Sequence, residues 1–523
     1  MRLAMAVCLL TATAEGLAVD AALIVQRVDP WQNQVTVRAA PDASAAIERL
    51  DVHAARNEYE SAAINVFNTE TETVYAYVSV TSTAGARSLP PECVTVREAV
   101  PLRAIGGSLV ADALPRLEPD QVLTIPAGEV RQVWLEITTG DLRPGVHEAT
   151  LRIEPLASDE PIELRLRLHV WDFTLPERLP IAVFNWDFTI AHLAEPMRSR
   201  YLHDMVEHGV NVFHITGEPR VVCDAQGNLL EEPDFSGWDE LIALERRYAR
   251  MFLFESWQFR GRALKASDGT ELAYLSAPWV RAFQAWLRGL IEYTRGIGLE
   301  YREWAFYPFD EYIGPDFVGI AREIRRIDPQ VLIFTDKLAD AEQMAAAAPY
   351  ADIWCPYDGH LGRPEGAASE QIMHASGRPI WFYFCGTDQK RFPPLGRYRL
   401  MGWKTWRRGF GGCTYWTIFE ASGSPWDDFD STVSDAASVY RGLDGPIPSR
   451  RWEAFREGLE DWCYLDLLRR RIDEAGEGPE VDEARRILDD APTRVMRSAD
   501  TRTIEIWRRR LAEAIVDLGR DRR

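Results

Sequence analysis

The residues best suited to chemistry in this 523-residue chain are carboxylates that follow short apolar runs. The acids in such positions are Asp187, Asp310, Glu311, Asp336, Asp358 and Glu420. Clustered carboxylates repel one another and raise one another's pKa, so a ring of them is costly unless it binds something. Because carboxylates accept hydrogen bonds from hydroxyl groups, the pattern points to a carbohydrate ligand.

Aromatic residues accompany these acids, and flat rings cover the apolar C–H faces of a sugar. The predicted substrate-binding residues are Trp186, Asp187, His214, Tyr357, Asp358, Tyr383 and Trp416. Each has an ordinary structural alternative: an aromatic ring can simply pack in a core, and an acid can cap a helix. The set as a whole is therefore more informative than any one member.

The sharpest feature is the adjacent pair Asp310-Glu311, within the aromatic segment 306–312. Successive side chains of a strand point in different directions, so one acid can face a ring substituent while the other faces the leaving-group oxygen. We predict that Asp310 and Glu311 are the catalytic residues.

Other kinds of chemistry find no matching motif. There is no GxSxG elbow and no phosphate-binding Walker loop. His203 and His208 lack the HExxH spacing, and no cysteine pair has the CxxC spacing of zinc or redox sites. We expect neither a metal nor a cofactor.

The elements that would position these residues follow a strand–helix rhythm from residue 181 onward. The candidate strands are 181–186, 210–215, 250–254, 304–309, 331–334, 353–356, 380–384 and 412–418, and the clearest helices are 277–297, 315–327 and 340–348. Eight strands in about 240 residues predict a (β/α)8 TIM barrel over 179–445, with its active site at the C-terminal strand ends. A doubly wound open sheet is the alternative, but its Gly-rich phosphate turn is missing.

The flanking segments have other patterns. Residues 22–178 alternate with period two, most clearly over 162–170, which predicts a β-sandwich with a hairpin turn at Arg143-Pro144-Gly145. Residues 446–523 predict a C-terminal helical segment packed on the barrel, its first helix capped by Ser449. The run Arg508-Arg509-Arg510 is interpreted as a solvated helix face.

Residues 1–18 resemble a secretory signal peptide, with Arg2, a short apolar run and small residues near a cleavage site. A first buried strand or helix is the alternative. The net charge of −21 repels phosphate groups, so we expect neither a nucleic-acid partner nor an anionic membrane partner. No stretch predicts a membrane span. We therefore expect a secreted or periplasmic protein; the oligomeric state is not predicted.

Several motifs resemble those of glycoside hydrolase family 123, the retaining β-N-acetylgalactosaminidases. They are 56–61 early in the sandwich, 143–145 and 171–176 near its end, Asp310-Glu311 as the catalytic pair, 411–416 as the last barrel strand, and 451–462 as the following helix. Two departures are Tyr312, where the family often has Pro, and the segment 417–421, which lacks an expected Asn and Trp.

The resemblance implies substrate-assisted hydrolysis, in which the sugar's own 2-acetamido oxygen attacks C1 and forms an oxazolinium ion. Asp310 would orient the acetamido nitrogen, and Glu311 would act as general acid and then base. Two alternatives stay open: a double-displacement glycosidase acting on a sugar without an acetamido group, and a non-catalytic glycan-binding surface protein.

Overall fold

The computed structural model describes residues 23–31, 37–83, 87–158, 160–186, 190–386, 389–431 and 435–520. The predicted signal peptide, residues 1–18, and the candidate Asp187 lie outside the described residues. Within the described part of the chain, no helix has both the length and the apolar character needed to span a membrane.

Among its described residues, the N-terminal region contains ten strands arranged in two five-stranded sheets. In chain order they are β1 (Leu23–Val28), β2 (Arg49–Arg56), β3 (Tyr59–Asn68), β4 (Val74–Ser82), β5 (Val94–Arg103), β6 (Leu109–Ala113), β7 (Val122–Ile125), β8 (Val130–Thr138), β9 (Gly145–Pro155) and β10 (Ile162–Thr174). The sheets have the orders β1-β3-β8-β5-β6 and β2-β10-β9-β4-β7. Alternate side chains such as Ile64, Leu135, Leu151 and Leu166 meet in one core shared by both sheets.

The turn at Arg143-Pro144-Gly145 does not form the predicted hairpin. β8 pairs with β3 and β5, whereas β9 pairs with β10 and β4, so the chain crosses here from one sheet to the other. The turn signal was real, but both flanking strands have an apolar face that packs into the shared core. Placing them on opposite sheets buries both faces.

The second region is an eight-stranded parallel sheet with helices between its strands. The strands of this sheet are β11 (Ala182–Phe184), β12 (Val212–Ile215), β13 (Met251–Glu255), β16 (Trp304–Tyr307), β17 (Leu332–Thr335), β18 (Ile353–Trp354), β19 (Tyr383–Phe384) and β20 (Gly412–Tyr415). Between β13 and β16 the chain forms a separate hairpin of β14 (Leu264–Lys265) and β15 (Glu271–Leu272). The helices are α1 (Met197–Glu207), α2 (Asp239–Glu245), α3 (Ala277–Gly296), α4 (Pro315–Ile327), α5 (Ala341–Ala347), α6 (Ala367–Ala375) and α7 (Leu400–Arg408). All eight predicted strands are present in the sheet.

The sheet curls, so that Phe184 of β11 packs edge-on against Phe334 of β17 with ring centroids 5.7 Å apart. Its ladder order is β18-β17-β16-β13-β12-β11-β20-β19. Between the two end strands the described residues form only isolated parallel bridges, Trp354 with Ile380 and Tyr357 with Tyr383. A complete (β/α)8 barrel is therefore not confirmed. The short end strands, two residues each, account for the interrupted ladder.

The chain ends with a short hairpin and three long helices. They are β21 (Val439–Arg441), β22 (Pro446–Pro448), α8 (Arg450–Ala475), α9 (Pro479–Ser498) and α10 (Thr501–Arg520). Ser449 caps α8 as predicted, its hydroxyl accepting the Trp452 N–H at 3.1 Å. α7 and α8 touch through glycines: a Cβ on Gly402 would lie 1.7 Å from the Gly458 carbonyl oxygen.

Helix α8 connects the two sheet regions. Its Glu457 and Glu460 carboxylates each accept a backbone N–H from β3, from Ser61 and Tyr59, at 2.9 Å. Arg508 of α10 is buried in the same contact, so the interpretation of the 508–510 run as solvated is wrong for this residue. Acids on β3 and α8 surround its guanidinium, which a sequence period cannot reveal.

Candidate active site

A cavity of about 360 Å³ opens at the C-terminal ends of the parallel strands. Its lining residues are Trp186, Glu255, Trp257, Asp310, Glu311, Asp336, Tyr383, Cys385, Trp416 and Glu420. They follow or end β11, β13, β16, β17, β19 and β20, so parallel pairing brings them to one edge of the sheet. This is the edge at which the sequence predicted the site.

The pair Asp310-Glu311 lies in the loop after β16, not on the strand itself. Glu311 has a φ of 49°, in the left-handed region that non-glycine residues rarely occupy. Its backbone N–H donates to Asp336 Oδ1 at 2.8 Å, which holds this conformation. The two acids therefore diverge because of a turn rather than through the alternation of a strand.

The two acids have different neighbours. Asp310 is 44% exposed, and its Oδ1 lies 3.1 Å from the Tyr307 hydroxyl oxygen. The Glu311 carboxylate accepts a hydrogen bond from the Tyr383 hydroxyl. Burial and that hydrogen bond raise the pKa of the Tyr383 phenol, so it remains a donor. One acid thus faces Tyr307 and the other Tyr383, from opposite directions.

A chain of polar and charged side chains leads from His214 to Asp310. His214 Nε2 lies 2.7 Å from Glu255 Oε2, and Glu255 forms an ion pair with Arg260. The Arg260 guanidinium lies 3.8 Å from Asp310 Oδ2 and 3.8 Å from the centre of the Trp257 ring. Arg260 therefore links the buried Glu255 to the exposed member of the pair.

Asp336 forms the floor of the cavity. Its side chain is buried, with Oδ2 2.6 Å from the Tyr307 hydroxyl oxygen. Burial, followed by repulsion from Asp310, raises the pKa of Asp336 to about 8. The same burial and neighbouring acids raise the pKa of Tyr307 well above its ordinary value. Both shifts favour the protonated form of the group.

The predicted binding residues divide into two groups. Trp186, Tyr383 and Trp416 line the cavity, with the Trp186 and Tyr383 rings edge-on at 5.0 Å. The other described candidates lie behind it: His214 is buried against Glu255, Tyr357 packs against Tyr383 with ring centroids 5.5 Å apart, and Asp358 is paired with Lys404 and Arg408.

Five described lining residues were not among the predicted catalytic and substrate-binding residues: Glu255, Trp257, Asp336, Cys385 and Glu420. Asp336 and Glu420 were named only as acids that follow strands, and Arg260, which contacts Asp310, was not named. Asp336 and Glu255 carried a usable signal, because each stands at the end of a strand. The predicted strand 250–254 stops one residue short of Glu255. Trp257 and Arg260 lie in a loop and had no such signal.

The family model described as "Glycoside hydrolase 123, catalytic domain" matches residues 317–468. The C-terminal part of the parallel-sheet region and helix α8 are thus similar to the catalytic domain of that family. The matched segment begins after Asp310 and Glu311, so the roles of the pair stay predictions. No curated protein matches the sequence.

Comparison with solved structures supports the overall fold of this chain. A family 123 glycoside hydrolase from Clostridium perfringens matches with a TM-score of 0.71 and 11% identity, over 96% of this chain and 99% of that one. An endo-beta-1,4-mannanase from Thermotoga petrophila matches with a TM-score of 0.36 and 15% identity, over 55% of this chain and 77% of that one. The first match extends the shared architecture to the N-terminal sheets.

Proposed function

We propose that this chain is a member of glycoside hydrolase family 123, a retaining glycosidase that removes a terminal 2-acetamido sugar, with an N-acetyl-β-galactosaminide as the first candidate. The observation that carries the proposal is the adjacent pair Asp310-Glu311 at the cavity, with each carboxylate held by a different tyrosine. Two acids with different surroundings suit two different roles.

In the first step, the acetamido carbonyl oxygen attacks C1 while the bond from C1 to the leaving oxygen breaks. Glu311 gives its proton to that oxygen as general acid. The sugar becomes a bicyclic oxazolinium ion. The ionised Asp310 accepts a hydrogen bond from the N–H of the oxazolinium ring and offsets the positive charge of that ring. In the second step, water attacks C1, Glu311 takes the proton from the water, and the acetamide re-forms.

The aromatic lining supports a sugar at this position. Trp186, Tyr383 and Trp416 form one wall of the cavity. Tyr383 and Trp416 are our candidates for the acetamide pocket and the sugar platform, because flat rings cover the C–H faces of a pyranose. Tyr383 also contacts Glu311, so a sugar packed on its ring would lie beside the acid.

The similar Clostridium perfringens enzyme is described as acting on glycolipid glycans. We propose glycan headgroups of this kind as natural substrates to test here. We also propose that the protein is exported, on the basis of residues 1–18. Mass spectrometry of the mature protein should find an N-terminus beyond residue 14, whereas an intact Met1 in a secretion-competent host would argue against export.

The deciding experiment is a panel of 4-nitrophenyl glycosides. We expect hydrolysis of the N-acetyl-β-galactosaminide and little release from β-galactoside, which differs only at position 2. Equal rates on the two would favour double displacement without acetamido participation. Binding of glycans without hydrolysis of any panel member would favour a non-catalytic surface protein.

A further inference from the structure

Asp336 contacts both halves of the proposed catalytic pair. Its Oδ1 accepts the Glu311 backbone N–H at 2.8 Å, and its Oδ2 lies 2.6 Å from the Tyr307 hydroxyl oxygen. That hydroxyl oxygen lies 3.1 Å from Asp310 Oδ1. A single buried carboxyl group therefore reaches Glu311 directly, and it reaches Asp310 both through Tyr307 and by direct interaction of the two carboxyl groups.

The two contacts of Tyr307 need more hydrogens than its phenol can supply. A phenol carries one hydrogen, and a carboxylate carries none. With Asp310 and Asp336 both ionised, only one of the two short oxygen–oxygen contacts would be a hydrogen bond. The other would be a repulsion in a buried site, which is costly. One of the two acids must therefore hold a proton.

Burial decides which acid holds it. Asp336 is 1% exposed, whereas the side chain of Asp310 is 44% exposed and faces the Arg260 guanidinium. Among the described residues, Asp336 forms no ion pair. The raised pKa of Asp336, about 8, agrees with this assignment. The Asp336 carboxylic acid then donates to Tyr307, which donates to Asp310.

We propose that Asp336 is a protonated positioning residue, a neutral carboxylic acid that orients Asp310 through Tyr307 and holds the Glu311 backbone. The inference rests on the proposed function, since it assigns a purpose to the alignment of the pair. A neutral acid supplies the donor without adding a second negative charge beside Asp310, so Asp310 can respond to the positive charge on the sugar.

Loss of this proton should disturb the site. The titratable or charged groups around Asp336 are Arg260, Tyr307, Asp310, Glu311, Cys355 and Tyr383. Once Asp336 ionises, Tyr307 has one hydrogen for two carboxylates, and Asp310 faces a new negative charge. The alignment of the pair should therefore weaken above about pH 8.

The kinetic test uses 2,4-dinitrophenyl N-acetyl-β-galactosaminide, whose leaving group needs no proton from Glu311. Its kcat/KM should fall above about pH 8 in the wild type because Asp336 ionises. Asp336→Asn, which keeps a donor and an acceptor, should stay within about threefold of the wild type at pH 6.5 and lose this alkaline fall. Asp336→Ala should lose about 10²-fold at every pH.

The matched control is Asp352→Asn, a buried aspartate beside β18 that pairs with Arg325 and Arg378. It should keep the alkaline fall. A loss in Asp336→Asn as large as in Asp336→Ala would overturn the proposal, because a neutral side chain would then not suffice.

An infrared measurement tests the proton without activity. The difference spectrum between wild type and Asp336→Asn should contain a protonated carboxyl C=O band at pH 6.5 that disappears with a midpoint near pH 8. Absence of the band would overturn the assignment even in an active enzyme. If no acetamido sugar is turned over, the proposed function is contradicted, whereas the infrared evidence on the proton of Asp336 is unaffected. Circular dichroism checks that both variants fold, and a pH titration of the wild-type band serves if Asp336→Asn does not.

Discussion

Two regions of the molecule contain clusters of acidic side chains, and the two clusters differ in how the acids are paired with cations. At the contact between β3, α8 and α10, Arg508 lies 3.0 Å from Glu60 and 2.9 Å from Glu457, and Arg399 lies 3.1 Å from Asp461. At the cavity, Arg260 is the one cation within ion-pair distance of the three acids Asp310, Glu311 and Asp336 among the described residues, and it reaches only Asp310.

The difference separates acids that stabilise the contact between the two sheet regions from acids that line the candidate site. The interface acids are buried, meet arginines and accept backbone N–H bonds from β3. At the cavity, Asp310 is exposed and Glu311 accepts a hydrogen bond from Tyr383, whereas Asp336 is buried, and the protons proposed on Glu311 and Asp336 limit the negative charge. A long acid-rich motif such as 451–462 therefore marks the structural connector, whereas the short pair Asp310-Glu311 marks the site.

The largest expected effect comes from changing the pair itself. Glu311→Gln should lower kcat/KM on the 4-nitrophenyl substrate by about 10²–10⁴-fold, because general acid catalysis is lost. The loss should shrink for a dinitrophenyl leaving group. Asp310→Asn should lower kcat/KM by a similar factor on both substrates, since oxazolinium formation is impaired whichever leaving group departs. A reversed leaving-group dependence would mean that the two roles are exchanged, and near wild-type rates in both variants would remove the pair from the mechanism.

A substitution at the contact between β3, α8 and α10 should lower the stability of the protein and not its catalytic activity. Arg508→Met leaves Glu58, Glu60 and Glu457 buried without their shared cation, and should cost about 3–5 kcal/mol of unfolding free energy. Urea unfolding measures this. The exposed neighbour substitution Arg509→Met is the control and should change little. An Arg508 variant that unfolds like the wild type would show that the cluster does not need its arginine.

Much of the fold and of the candidate site was predictable from the sequence, and the features that were not predicted have a common physical reason. Period and turn signals predicted all eight parallel strands, the Ser449 cap of α8 and the edge at which the acids meet, because each depends on local pattern. They did not predict the crossing at 143–145 or the burial of Arg508, since both depend on which distant element packs there. Asp336 had the right position, but only the Tyr307 contact explains its role.

The pH dependence of the free energy of unfolding tests the protonation of Asp336 at the cavity. In the unfolded chain Asp336 has a pKa near 3.8, and in the fold it is about 8. Between those values the native state holds a proton that the unfolded chain has lost, so this group lowers stability as pH rises. Asp336→Asn should therefore gain on the wild type by at most ~1.4 kcal/mol per pH unit across this window. Urea unfolding at pH 5, 6.5 and 8 measures the difference, and a constant offset would contradict it.

The smallest effect is expected at Asp358, which the sequence pattern grouped with the binding residues. Its two carboxylate oxygens lie 3.0 Å from Lys404 Nζ and 2.9 Å from an Arg408 guanidinium nitrogen, and it does not line the cavity. Because its charge is already engaged, Asp358→Asn should leave KM and kcat nearly unchanged and cost about 1 kcal/mol of stability at most. Trp416→Ala, which removes a cavity wall, is the matched comparison and should raise KM clearly. If Asp358→Asn raised KM as much as Trp416→Ala, Asp358 would belong with the acids that contact the sugar and not with those that hold the fold.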